Sequence, residues 1–246
     1  MKDISNQTIV SDKAASFDQG LREFMIKVFN HMAIALVVTG LVSYATISIP
    51  SLLQLFFTVD PNGAIAGVSG LGYIAMFAPL AFVFIFSMGL GKMSVSSAQM
   101  MFWVFSVLMG FSLAPVFLAY TGESIARVFF ITASVFASMS IYGYTTKRDL
   151  TNFAAFLYMG LVGIIIASLV NLFLQSPAIY FVTSIVTVLV FTGLTAYDVN
   201  RLKLIYQSYP AGDTKDKAAI MGALSLYMDF INMFLAMLRL FGNRRS

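Results

Sequence analysis

An all-α integral membrane protein with seven transmembrane helices is predicted by three features of the sequence. Hydrophobic residues make up 59% of its 246 positions, charged residues only 11%, and the apolar residues gather into seven long runs. A mean hydropathy of +0.85 is more than a soluble domain of this length can present to water. A bilayer core about 30 Å thick takes roughly 20 apolar residues per helix. The runs that meet this length lie at 25–49, 71–91, 99–120, 124–145, 151–174, 178–200 and 219–241.

Residues 1–22 are polar and mixed in charge and read as a cytoplasmic tail ahead of a seven-helix domain over 23–246. The first run is too long for the apolar region of a signal peptide and lacks a small-residue cleavage site. His31 lies alone in it, with no second metal ligand nearby, and reads as a packed side chain. "DPNG" at 60–63, "TGE" at 121–123, "QSP" at 175–177 and "YPAGD" at 209–213 punctuate the runs with turn residues. Small residues suited to close helix packing mark the fourth run at Ala133, Ala137 and Ser140, and the fifth at Gly160, Gly163 and Ala167. The absence of cysteine excludes thiolate metal sites, disulfides and a catalytic thiol.

The net charge of +4 reports topology and not a nucleic-acid surface, because the bases are few and lie between apolar runs. Lys2, Lys13, Arg22, Lys27, Lys92, Lys147, Arg148, Arg201, Lys203, Lys215 and Lys217 fall in the tail or after even-numbered runs; Arg127, Arg239, Arg244 and Arg245 fall on the other side. The positive-inside rule therefore puts the N-terminus in the cytoplasm. Three of the four dissenting arginines sit at the C-terminus. The sequence leaves two arrangements open there: a last helix that spans with a basic outer end, or one that enters and returns.

Of the eleven acidic residues only Asp198 and Asp229 fall within or at the end of a run. An aspartate at the centre of a membrane helix costs roughly 2.5–3.5 kcal/mol on the insertion scale, so the two are expected to face each other or water. In the last run Gly222, Ser225, Asp229, Asn232, Ala236 and Arg239 recur at alternating steps of three and four, a stripe of small and polar residues. The sixth run carries a less complete stripe, Thr183, Thr187, Thr195 and Asp198. Enclosure of the last helix by the others satisfies both patterns. For Asp198 to reach Asp229 the sixth helix must continue past Arg201 and Lys203, whose long side chains can snorkel to the interface.

"FTGLTAYDVNRLK" at 191–203 and "GALSLYMDFINMFLAMLRLFG" at 222–242 closely resemble the two signature segments of the Bax inhibitor-1 family, in particular its bacterial inner-membrane branch. "IYGYTTKRDL" at 141–150 and "IIIASLVNLFL" at 164–174 are similar to the same branch. The resemblance spans the chain from about residue 20 to its end. It implies six helices wrapped around a central C-terminal helix, and a pH-sensitive calcium leak channel of the inner membrane. It further implies an aspartate dyad matched by Asp198 and Asp229, and a latch from a basic residue at the cytoplasmic end of helix two, matched by Lys92. Lysine there lacks the bidentate fork of the arginine commonly found in relatives.

Two carboxylates within hydrogen-bond reach in a low dielectric cannot both ionise cheaply, so they are expected to share a proton near neutral pH and to titrate as a pair. Acidification would then protonate Asp198, weaken its attraction to Lys92 and open the cytoplasmic side. Calcium takes about six to eight oxygens, so Asp198 and Asp229 form only part of a transient site, with Ser225, Asn232 and Arg239 as auxiliary lining. No catalytic group or cofactor is expected, and the partners are the bilayer, calcium and protons, with no nucleic acid. The competing readings are a proton-coupled transporter using the same acidic pair and a modulator of a membrane protease. An intramembrane aspartyl protease is disfavoured, since Asp229 sits in "YMDF" and lacks the Gly-x-Gly-Asp context.

Overall fold

The computed structural model describes residues 2–61, 63–89, 92–209 and 212–245, with the backbone alone at 2–18 and at 87. Its elements follow in chain order as α1 (Lys2–Ser48), α2 (Pro50–Phe56), β1 (Phe57–Val59), β2 (Ile65–Val68), α3 (Gly70–Gly89), α4 (Val95–Ala119), α5 (Gly122–Thr145), α6 (Thr151–Leu174), α7 (Pro177–Ser208) and α8 (Asp213–Phe241). Among the described residues six helices are long and apolar enough to cross a membrane: Gln19–Ser48 within α1, and α4 to α8. In α3 the stretch Gly70–Phe86 is a shorter apolar helix.

Two features differ from the sequence expectation. The gap between the first two runs contains a short helix and an antiparallel hairpin, β1 with β2, which the hydropathy pattern does not register because neither strand alternates cleanly. "DPNG" forms its turn: Gly63 takes a positive φ of 83°, open to glycine at no steric cost, and Asp60 Oδ1 accepts from the Ala64 N–H at 2.8 Å. The polar tail is also continuous with the first apolar run as one helix, and among the described side chains packing begins at Leu21, Phe24 and Met25, which are buried.

Contacts sort the helix ends into two groups. At one end Lys27 of α1 pairs with Asp216 of α8 at 2.7 Å, and Lys203 of α7 donates to the Tyr144 and Thr146 carbonyls at the end of α5 (2.5 and 3.2 Å). At the other, α2, β1, α3 and α4 meet through Phe56, Phe57, Ala75 and Ala114. There too the chain terminus docks on the α4–α5 turn: Thr121 N–H donates to Asn243 O (3.1 Å) and Arg245 N–H to Ala119 O (2.9 Å). The last helix is thus one unbroken element whose basic end lies opposite the Lys27 end. It does not turn back.

Burial is uneven in a way that positions the site. In the apolar window of α8, 72% of residues are buried, against 11–39% in the other five candidates. Its principal neighbours are α7, α1, α5 and α4, while α6 packs chiefly on α7 and α3 on α4. The face that α5 buries is Ser124, Val128, Thr132, Phe136, Ser140 and Gly143. Of the small residues expected to pack there, Ser140 lies on that face and Ala137 is exposed. In α6, Gly160 meets Val190, but a Cβ at Gly163 would touch nothing within 4 Å. Hydropathy marks both helices as apolar all round and so hides which face meets protein and which meets lipid.

One close helix crossing is at Gly143, where an added Cβ would strike the Ala196 carbonyl oxygen of α7. Backbone cannot yield as a side-chain tip can, and overpacking of this kind costs about 1–3 kcal/mol. Gly143→Ala is expected to lower the melting temperature in detergent by several degrees, whereas Gly163→Ala, facing open space, leaves it unchanged or slightly raised; differential scanning fluorimetry of the two variants checks the contrast.

Candidate functional site

α7 and α8 form the site. In α7 every residue from Val190 to Leu202 is buried except Thr192 and Tyr197, which are half-buried, and Arg201, which is exposed, so the half of the helix that carries Asp198 is largely surrounded by protein. The helix runs on to Ser208, past Arg201 and Lys203 as the pairing of the two aspartates requires. The carbonyls at the end of α5 that take up the Lys203 ammonium supply a reason why a charge does not end it. Asn200 adds a hydrogen bond from Nδ2 to Gly143 O at 3.3 Å, which locks α7 at its close crossing with α5.

Asp198 is 8% exposed and Asp229 5% exposed. Ser225, one turn before Asp229 on α8, lies beside the Asp198 side chain and shares a cavity wall with it, which sets Asp198 beside the Ser225–Asp229 turn. The Asp198 charge acts on Asp229, and the Arg201 charge acts on Asp198 from the next turn of its own helix. Oδ2 of Asp229 is buried with no hydrogen-bond partner. An unsatisfied carboxylate oxygen in a protein interior carries its full desolvation penalty, so this atom is the most strained point of the polar network.

Two cavities approach the pair along α8. The first, about 470 Å3, lies at the Lys27 end of the molecule and is lined by Asp198, Arg201, Lys217, Met221, Gly222 and Ser225, among others. The second, about 350 Å3, lies between α6, α7 and α8 and is lined in part by Thr187, Phe191, Asn232, Leu235 and Arg239. Asp229 lines neither, although Ser225 four residues before it borders the first and Asn232 three residues after it borders the second. The small and polar stripe of α8 therefore borders both of these cavities, while Phe230, Ile231 and Phe234 line a smaller apolar one of about 80 Å3. The remaining side, with Leu226, Tyr227, Phe230, Met233 and Met237, is buried in the core.

The residues singled out by the sequence fall as follows. Asp198, Ser225 and Asp229 come together; Asn232 and Arg239 line the second cavity. Lys92 lies exposed on the turn before α4 and forms no ion pair: among the described residues the one salt bridge is Lys27–Asp216. The structure brings Arg201 to Asp198, and Lys217 to the same cavity. Sequence spacing carries the Arg201 signal, an i, i+3 neighbour on one helix face, but carries none for Lys217. Among the described residues no three His, Cys, Asp or Glu side chains gather as a metal cluster, so any cation held here would draw most of its oxygens from backbone, hydroxyls or water. His31 packs as a single residue should, with Nδ1 2.7 Å from Lys27 O and its ring stacked on Trp103 at 5.7 Å.

The family model described as "Inhibitor of apoptosis-promoting Bax1" matches residues 21–246. The chain is 46% identical over 246 residues to the uncharacterized protein RP147 of Rickettsia prowazekii, covering the whole of both chains. It is 44% identical over 244 residues to an uncharacterized protein of Caulobacter vibrioides, covering 98% of this chain and 96% of that one. Over 237 residues it is 41% identical to the inner membrane protein YbhL of Escherichia coli, covering 96% and 97%. With a match that begins where packing begins and includes both aspartate-bearing helices, the chain belongs to the Bax inhibitor-1 family.

Proposed function

We propose that this protein is a pH-sensitive calcium leak channel of the bacterial inner membrane, in which seven helices cross the bilayer and α8 is the enclosed one. The N-terminus is cytoplasmic. The observation that carries this reading is the buried, unpartnered oxygen of Asp229 placed between a cavity that reaches Asp198 and another that reaches Asn232. A cation entering the first cavity meets the Asp198 carboxylate, then Asp229, then the amide of Asn232, and leaves by the second. With only two carboxylates on this route, calcium is passed and not stored, and the protein needs neither a resident cofactor nor a catalytic group.

The gate is electrostatic. When Asp198 is ionised, Arg201 beside it and Lys217 across the cavity hold it; when acid protonates it, that attraction is lost and the α7–α8 contact through Ser225 loosens. The groups facing Asp198 are Arg201 and Tyr197 on its own helix, Lys217, Ser225 and Asp229 on α8, and Tyr158 on α6, whose ring stands edge-on to Tyr197 at 6.3 Å. A proton-coupled transporter is the second reading, favoured by the same orphaned oxygen, which is a natural place for a proton to rest. Saturation of flux with substrate and a proton current of fixed stoichiometry would identify it.

Calcium entry into dye-loaded proteoliposomes at pH 6, 7 and 8 tests the reading. Asp229→Asn is expected to cut initial flux by about tenfold or more, equivalent to about 1.4 kcal/mol, and Asp198→Asn to abolish its dependence on pH. A parent protein that passes no calcium at any pH would sink the channel. In the same assay Arg201→Gln is expected to shift the pH profile, because it removes the charge beside Asp198, while Lys92→Gln leaves it in place.

Sidedness is checked independently. The chain has no cysteine, so single cysteines introduced at the exposed positions Glu123 and Asp149 report without interference. An impermeant maleimide applied to spheroplasts is expected to label position 123 and not 149. The opposite pattern would invert the orientation.

A further inference from the structure

The four arginines that break the charge rule are not scattered. All lie at the end of the molecule where α8 finishes. The terminal segment is pinned there by its backbone bonds to Ala119 and Thr121 and by a bond from Asn243 N–H to Ser124 Oγ at 2.8 Å. This pinning fixes Arg244, whose side chain lies beside Tyr120 and Tyr180. The Arg239 guanidinium lies over the ring of the same Tyr180, 5.5 Å from its centroid, a cation–π arrangement. Arg127 donates to the Phe241 carbonyl at 3.4 Å. None of the four pairs with an Asp or Glu side chain among the described residues. Two guanidiniums thus converge on one tyrosine with no side-chain anion to meet them.

Arg239 also stands at the mouth of the second cavity. Apart from Ser168 on α6, the walls beside it are apolar: Ile164, Leu169 and Leu172 on α6, Phe191 on α7 and Leu235 on α8. The polar groups in its floor are engaged internally. Thr187 Oγ1 donates to Thr183 O at 2.6 Å and Asn232 Nδ2 to Met228 O at 2.8 Å. The cavity opens beside α6, whose apolar window is only 11% buried. Phosphate is the anion for which paired arginine forks are best shaped, and an acyl chain is the ligand for apolar walls that open toward lipid.

We propose that this groove is a binding site for an anionic phospholipid, its phosphate held between Arg239 and Arg244 and one acyl chain lying between α6 and α8 as far as Phe191. The charge reversal at the C-terminus is then a headgroup site and not an error of topology. The inference stands whether or not calcium is the transported ion.

The test uses the full chain in mild detergent, titrated with dioleoyl phosphatidylglycerol, dioleoyl phosphatidylcholine or inorganic phosphate and read by native mass spectrometry. The expected result is that phosphatidylglycerol binds about tenfold more tightly than phosphatidylcholine, that the Arg239→Gln/Arg244→Gln double variant loses this difference while its circular dichroism is unchanged, and that inorganic phosphate does not compete at lipid-equivalent concentrations. Equal binding of the two lipids, a preference that survives in the double variant, or displacement by free phosphate would overturn the proposal. A photoactivatable phosphatidylglycerol with the label in its acyl chain keeps the test independent of variant folding. It is expected to label residues 161–172 and 232–239 of the parent protein, and labelling spread evenly over all lipid-facing helices would refute the site.

Discussion

The fold is organised around the burial of Asp229. A carboxylate oxygen without a partner, in a helix that could have carried leucine at that position, is a cost that only surrounding protein can offset. This accounts for the inversion of burial along the chain: the least hydrophobic of the candidate spans, α8, is the one enclosed, and the most hydrophobic, α6, is the one left at the edge. The close approach of α7 to α8 at Gly222, where a Cβ would meet the Leu202 side chain, and of α7 to α5 at Gly143 serves the same end. Each removes a side chain so that another helix can shield the acidic pair from lipid.

The parts of this arrangement legible in the sequence are those in which a residue contradicts its surroundings. Asp198 and Asp229 stand out because they sit in apolar runs, and the stripe from Gly222 to Arg239 because its period matches a helix. Turn chemistry likewise marks "DPNG" and the ends of most helices. What the sequence does not carry is which uniformly apolar face meets protein. On α5 the buried set from Ser124 to Gly143 mixes hydroxyls, valine, phenylalanine and glycine in steps of about four, and its members share position, not chemistry. The hairpin before α3 is similarly hidden, since three- and four-residue strands give alternation too little length to register.

The basic partner of Asp198 shows the same limit. A resemblance carried by local segments points to Lys92, a residue remote in sequence whose approach depends on how α3 and α4 meet. The structure has Arg201 one turn away on the same helix, and Lys217 on the facing one. A local neighbour is placed by helix geometry alone, so it persists through movements of whole helices. A partner on a distant turn is lost when those helices shift. In the proposed channel an ionised Asp198 would therefore keep Arg201 beside it as the helices move, and what would change on opening is its contact with Ser225 on α8.

The two ends of the molecule consequently do different chemistry with the same sign of charge. At the Lys27 end three lysines are met within the protein: Lys27 by Asp216, Lys203 by two carbonyls, and Lys215 by the Tyr206 ring at 3.7 Å. Those contacts tie α1, α5, α7 and α8 together around the first cavity. At the other end the arginines are braced by tyrosines and backbone but left without a side-chain carboxylate, at the edge of a groove that opens toward lipid. A cation leaving Asp229 by way of Asn232 would pass beneath that groove and the positive charge of Arg239, which opposes it. An anionic headgroup between Arg239 and Arg244 cancels that charge while its acyl chain narrows the exit. The lipid would thus lower the electrostatic barrier and raise the steric one, making conduction sensitive to the composition of the leaflet at the end where α8 terminates.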